Sequence, residues 1–144
     1  MIEVRRRFAA TAERVFDAWT EADVLLEWWS ASPSHRPGLA EVDLRVGGRY
    51  RLSMIDGDGV ETIIGGEYVE VRRPTRLAFT WSWESRDGDD PTDGTTSLVE
   101  IEFEEDGDAT LVTLRHSGLV TPESIERHER GWNGCFDSLE RRFA

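Results

Sequence analysis

Residues 121–144 constrain this chain more than any other stretch. They open on Thr121-Pro122-Glu123: a hydroxyl N-cap, a proline suited to the first helical position, and an acid at the positive end of the helix dipole. At about 100° per residue, Ile125, His128, Trp132, Phe136, Leu139 and Phe143 fall on one stripe. Gly131, Gly134 and Ser138 lie together on its flank. Glycine inside a helix costs about 1 kcal/mol relative to alanine. Glycines gathered on one side therefore predict either a close backbone approach or room left for another molecule. A helix with so large an aromatic face also needs an apolar partner of matching size.

The middle of the chain supplies that partner as alternating strands. Residues 2–9 put Ile2, Val4 and Phe8 on one face, with Arg6 unexpectedly among them. Thr11 predicts the cap of a short helix carrying Val15, Phe16 and Trp19. Residues 20–23 read as a capping box for a second short helix ending at Trp28 and Trp29. Residues 30–38, with Pro33 and Pro37, read as a loop. Strands are predicted at 39–46, 49–55, 60–71, 76–84, 97–104 and 110–116. Tight turns are expected at Gly47-Gly48 and at 56–59, and an irregularity at Gly65-Gly66. Residues 86–95, acidic and glycine-containing, read as a mobile hairpin loop. The pattern predicts an α+β helix-grip fold, one domain over residues 1–144. A curved antiparallel sheet surrounds the long C-terminal helix, and two short helices follow the first strand.

A net charge of −12 and a pI near 4.6 argue against non-specific adhesion to nucleic acid or to an anionic membrane, since both need a basic face. All 17 basic residues are arginine, which excludes lysine Schiff-base chemistry. The lone Cys135 cannot close an internal disulfide. Apolar runs fall short of the roughly 18 residues a membrane span needs, and no leader segment is visible. The expected home is the cytoplasm, without membrane insertion.

Candidate ligand contacts follow from the inward positions. Trp28 and Trp29 are expected at a cavity wall or mouth. Tyr50, Met54, Tyr68, Trp81, Trp83, Trp132 and Phe136 are expected to face the interior beside them. For each, the competing assignment is plain core packing. His116 at a strand end and His128 on the helix are the imidazoles expected to face inward. They join the ligand-binding set and are the candidates for acid–base catalysis, although no inner carboxylate is placed to orient them. Hydrogen-bonded structural histidines are the commoner outcome. Arg6 reads as the counter-ion of a ligand or of a nearby acid, and Cys135 as packing rather than a nucleophile. Asp56-Gly57-Asp58-Gly59 opens like a calcium loop, but Val60 stands where a ligand is needed. Asp87, Asp89, Asp90 and Asp93 read as solvated. Zinc spacing and a phosphate-binding glycine loop are both missing, so neither metal nor cofactor is expected.

Several local patterns, taken in order, carry a resemblance. They are residues 12–20 (Ala-Glu-Arg-Val-Phe-Asp-Ala-Trp-Thr), Trp28-Trp29, residues 42–50 (Val-Asp-Leu-Arg-Val-Gly-Gly-Arg-Tyr), Gly66-Glu67-Tyr68, residues 77–81, His116-Ser117-Gly118 and residues 128–132. Together they resemble the START-like (SRPBCC) superfamily and, within it, the bacterial branch of the Hsp90-ATPase-activator homologue 1 family. The resemblance covers essentially the whole chain. It implies a cavity between sheet and helix, and a binding protein whose ligand is small and hydrophobic or lipid-like. It supplies no catalytic motif. Enzymes in the superfamily keep a second reading open, a cyclase, dehydratase or hydrolase using the same cavity. Co-chaperones in the family keep a third, a protein-interaction domain. Neither the ligand nor the oligomeric state follows, and a homodimer is left open.

Overall fold

The computed structural model describes residues 1–84 and 96–144, so the loop expected at 86–95, with its aspartates, lies outside the described residues. The elements run β1 (Ile2–Phe8), α1 (Ala12–Thr20), α2 (Ala22–Trp28), β2 (Arg36–Val42), β3 (Arg49–Ile55), β4 (Glu61–Arg72), β5 (Arg76–Trp83), β6 (Ser97–Asp106), β7 (Ala109–Ser117) and α3 (Pro122–Arg142). β2 to β7 form an antiparallel meander, and β1 pairs antiparallel with β7. The order across the sheet is β1-β7-β6-β5-β4-β3-β2. The sheet curls around α3 as a half-barrel. α1 and α2 carry the chain from the β1 edge to the β2 edge, which makes them the cover for one part of the grip.

Alternation places the core. Val99, Ile101 and Phe103 of β6 and Val112, Leu114 and His116 of β7 are buried on the inner face, where Phe103 meets Phe16 of α1 and His116 meets His128 and Trp132 of α3; α3 itself buries His128, Trp132, Cys135, Phe136 and Leu139. Thr121 Oγ1 accepts the Ser124 N–H at 3.1 Å, and Arg141 and Arg142 stand in the last turn, so both ends of the helix complement its dipole. Phe136 packs on Phe8 and Trp19 with ring centroids 5.8 and 5.9 Å away. Among the described residues no helix is long and apolar enough to cross a membrane.

Three expectations need correction. The second strand begins at Arg36, not 39. Pro37 and Gly38 are tolerated because β2 is an edge strand, and its register shifts between Pro37 and Ala40. The capping box at 20–23 does not form. Thr20 is the last residue of α1 and its hydroxyl donates back to Phe16 O at 3.0 Å, leaving Glu21 as N-cap without a side-chain bond. The irregularity in β4 falls between Tyr68 and Glu70 rather than at Gly65-Gly66. Gly66 serves close approach instead, since a Cβ there would sit 2.1 Å from Thr80 O.

The sheet also carries a row of alternating charge. Arg115 joins Glu3 of β1 to Glu102 of β6 at 3.1 and 2.9 Å, and Arg76 joins Glu102 to Glu70 of β4 at 3.3 and 2.6 Å. Each pair is partly exposed and contributes little singly, about 0.2–1 kcal/mol for opposite charges across strands. Together they clothe five strands in charge. Arg6 resolves the same way, bonded to Asp137 at 2.7 Å and Glu140 at 3.3 Å on α3.

Candidate functional site

A partly open pocket of about 430 Å³ lies between α3, the 29–35 loop and β3 to β5. That volume is in the range of about 300–1,000 Å³ typical of small-molecule sites. Its walls are Trp29 and Ala31 from the loop, Met54 from β3, Thr62 and Ile64 from β4, and Trp81 and Trp83 from β5. α3 contributes His128, Gly131, Trp132 and Cys135. Four of the six tryptophans line it, and they interlock: Trp81 lies 4.9 Å from Trp132, 6.1 Å from Trp83 and 6.2 Å from Trp29, ring to ring. Ser32, His35, Asp56, Arg127 and Arg130 add the polar groups.

The two glycines of α3 do opposite things. A Cβ on Gly134 would sit 1.7 Å from Ala31 O and 2.6 Å from its carbonyl carbon, so this glycine lets the loop after α2 lie on the helix backbone. Ser138, one turn on, donates to Trp28 O at 2.6 Å and fastens the same segment. A Cβ on Gly131 would meet nothing within 4 Å. That glycine belongs to the pocket wall, so the space beside it is pocket.

The two inward histidines meet, their rings 5.2 Å apart. An indole N–H only donates, which assigns the protons. Trp132 Nε1 donates to His116 Nδ1 at 3.0 Å, so the His116 proton is on Nε2, 2.7 Å from Ser97 Oγ. Trp83 Nε1 donates to His128 Nε2 at 3.1 Å, so the His128 proton is on Nδ1 and goes to Ser124 O at 2.8 Å. Both rings are neutral, each in a different tautomer, and all four nitrogens are engaged with the protein. A general acid or base needs a nitrogen facing the reacting group. Here each ring would first have to break a bond to tryptophan, serine or backbone.

Burial, and then the neighbouring His128, hold His116 down from its ordinary value near 6.5 to about 3. Above pH 6.5 folded and unfolded chains both carry it neutral, and it has no effect on stability. Below that pH the unfolded chain takes up a proton that the folded chain refuses until about pH 3. Stability is therefore expected to fall with pH across this window, by up to about 1.4 kcal/mol per pH unit from this group. Urea melts at pH 7 and pH 5 should show a larger acid loss for the wild type than for His116→Gln. Equal losses would place the acid sensitivity elsewhere.

Met54, Trp29, Trp81, Trp83, His128 and Trp132 thus stand on the pocket, and His116 lies behind Trp132. Trp28, Tyr50, Tyr68 and Phe136 are placed differently from the expected ligand wall, packed into core. Trp28 turns its indole inward to donate to Ala18 O at 2.8 Å. Tyr50 donates to Thr80 O at 2.6 Å. With Trp19, Leu25 and Tyr68 it borders a void of only about 10 Å³, because α1 and α2 close that part of the grip. Burial raises both phenols well above their usual range. The Cys135 thiol, on the wall yet buried, is pushed up to about 12 by desolvation, which favours the protonated thiol over the thiolate. Sequence reasoning missed His35, Ser32 and Arg127. The loop residues have no periodicity to reveal them, and Arg127 lies off the apolar stripe beside a histidine that is on it.

The family model described as Activator of Hsp90 ATPase homolog 1-like protein matches residues 9–144. This chain belongs to the AHSA1-like family. The family lies within the START-like superfamily, as the motif order implied. Solved relatives agree over nearly the full length. The AHSA1 protein of Silicibacter pomeroyi is 26% identical, with a TM-score of 0.83 over 98% of this chain and 95% of its own. An AHSA1-like protein of Aeromonas hydrophila is 26% identical, with a TM-score of 0.75 over 97% and 90%. Protein CV1439 of Chromobacterium violaceum, at 20% identity and a TM-score of 0.80 over 99% and 95%, shows the fold alone. None of the curated proteins matches.

Proposed function

We propose that this AHSA1-like chain binds a small, mostly apolar molecule in the pocket between α3 and the sheet. The observation that supports this most is a tryptophan-walled space of about 430 Å³ kept open beside Gly131, a helix position where alanine would be more stable. Apolar walls would supply affinity, and a few polar groups at the mouth would fix orientation. An acid–base enzyme in the same pocket is less well supported. Closeness of His116 and His128, which such an enzyme needs, is met, but their nitrogens are spent on structure. A co-chaperone-like docking role is also less well supported, because the charged row on the sheet is a poor match for an apolar interface core.

Native mass spectrometry of protein purified from its own host should retain a co-purified small molecule. Saturable binding of N-phenyl-1-naphthylamine should follow from fluorescence titration of the emptied protein. Gly131→Leu projects a side chain into the space and is expected to reduce probe affinity at least about tenfold. Its melting temperature should stay near or above the wild-type value. A well-folded Gly131→Leu with unchanged affinity would put the binding site elsewhere.

A further inference from the structure

We propose that the pocket selects an amphipathic organic anion, its apolar body against the tryptophan wall and its anionic head at Arg127. The proposal rests on the binding reading above and adds the chemical class of the ligand. With 29 acids against 17 arginines, an exposed arginine of this chain readily finds a carboxylate. Eleven arginines do so among the described residues. Arg130, the other arginine on the pocket, is one of them, held by Glu126 at 3.2 Å. Arg127 makes no ion pair among the described residues, and of the arginines left without one it alone lines this pocket.

Among the described residues, Asp56 is the single carboxylate on the pocket lining. Its Oδ1 already accepts the N–H groups of Asp58 and Val60, each at 2.9 Å, and these bonds with the nearby His35 hold its pKa down. It is a turn-forming carboxylate with its own partners rather than the partner of Arg127. The net charge of −12 disfavours anions over most of the surface. Screening confines each charge to about 8 Å at physiological salt, so a guanidinium without an ion pair among the described residues, beside a tryptophan-walled pocket, is a local exception. A guanidinium can take a carboxylate, sulfonate or phosphate head through two parallel N–H donors. The shared chemistry is an anionic oxygen group on an apolar body.

Two probes with one skeleton test this: 8-anilinonaphthalene-1-sulfonate and N-phenyl-1-naphthylamine, the same body with and without the anion. Affinities are measured for wild type, Arg127→Gln and Arg141→Gln. Arg141→Gln removes the same charge from the far end of α3, away from the pocket. Arg127→Gln is expected to weaken the sulfonate about three- to tenfold and to leave the neutral probe within about twofold. Arg141→Gln should alter neither, and added KCl should weaken only the sulfonate. Equal effects of Arg127→Gln on both probes, or none on either, would overturn the anion contact while leaving the pocket reading intact. A weakening by Arg141→Gln as large as that by Arg127→Gln would reduce the effect to overall charge and overturn it too. Failure of both probes to bind the wild type saturably would overturn the pocket reading and this proposal together.

Discussion

Gly134→Ala is expected to destabilise the fold by about 2 kcal/mol net, although alanine is the better helix former. The added methyl would lie 1.7 Å from Ala31 O, 2.6 Å from its carbonyl carbon and 3.2 Å from its Cα. These are backbone atoms and cannot rotate away. The loop must lift off the helix by more than 1 Å to reach van der Waals distance (roughly 3 Å or more). That lift pulls on the Ser138 bond to Trp28 O and on the wall built by Trp29 and Ala31. Overpacking of this kind costs about 1–3 kcal/mol and occasionally more, against about 1 kcal/mol gained in helix propensity. Gly131→Ala, three residues earlier on the same helix, has no atom to meet and should gain up to about 1 kcal/mol. Urea melts of the two variants give opposite signs if the contrast is right. A Gly134→Ala protein as stable as the wild type would mean that the loop does not lie on the helix as described.

Trp132→Ala is expected to cost about 3–5 kcal/mol from packing alone. The indole is 2% exposed and its ring lies within about 6 Å of Trp19, Trp29 and Trp81. Its N–H is also the donor that holds His116 Nδ1. A buried acceptor left without a donor adds about 1–3 kcal/mol. Trp132→Phe separates the two terms, since it keeps most of the ring packing and removes the donor. The phenylalanine variant should be less stable than wild type at pH 7. It should also lose less on acidification, because Nδ1 is then free to take a proton. A loss within about 0.5 kcal/mol for Trp132→Ala, the range of ordinary surface changes, would remove Trp132 from the core.

The fold was legible because its signals are local and repeated. Period-two alternation gave β1, β3, β5, β6 and β7 their inner faces, and the stripe of α3 with its Thr121 cap was correct to the residue at its start. Legibility ended where the chain used a residue for something other than its local preference. Thr20 closes α1 instead of opening α2, and Pro37 and Gly38 sit in a strand that an edge position permits. The motif order also carried the family, and the patterns at residues 12–20, 42–50, 77–81 and 128–132 all fall within the span that the family model matches.

The site was legible only as a set of inward residues. Sequence determined that tryptophans and two histidines would face the interior, because burial of large rings is dictated by periodicity. It also determined that α3 would carry two glycines on one flank. Tertiary structure alone decided which glycine meets a backbone and which borders space. It separated the tryptophans of the pocket from Trp28, and Met54 from the buried Tyr50 and Tyr68. It also turned two candidate catalysts into acceptors of indole hydrogen bonds. The physical reason is that periodicity specifies only the direction of a side chain from its own backbone. Whether that direction ends in a neighbour or in open space depends on segments distant in sequence. Here those are the 29–35 loop and the two short helices, whose placement no local pattern encodes.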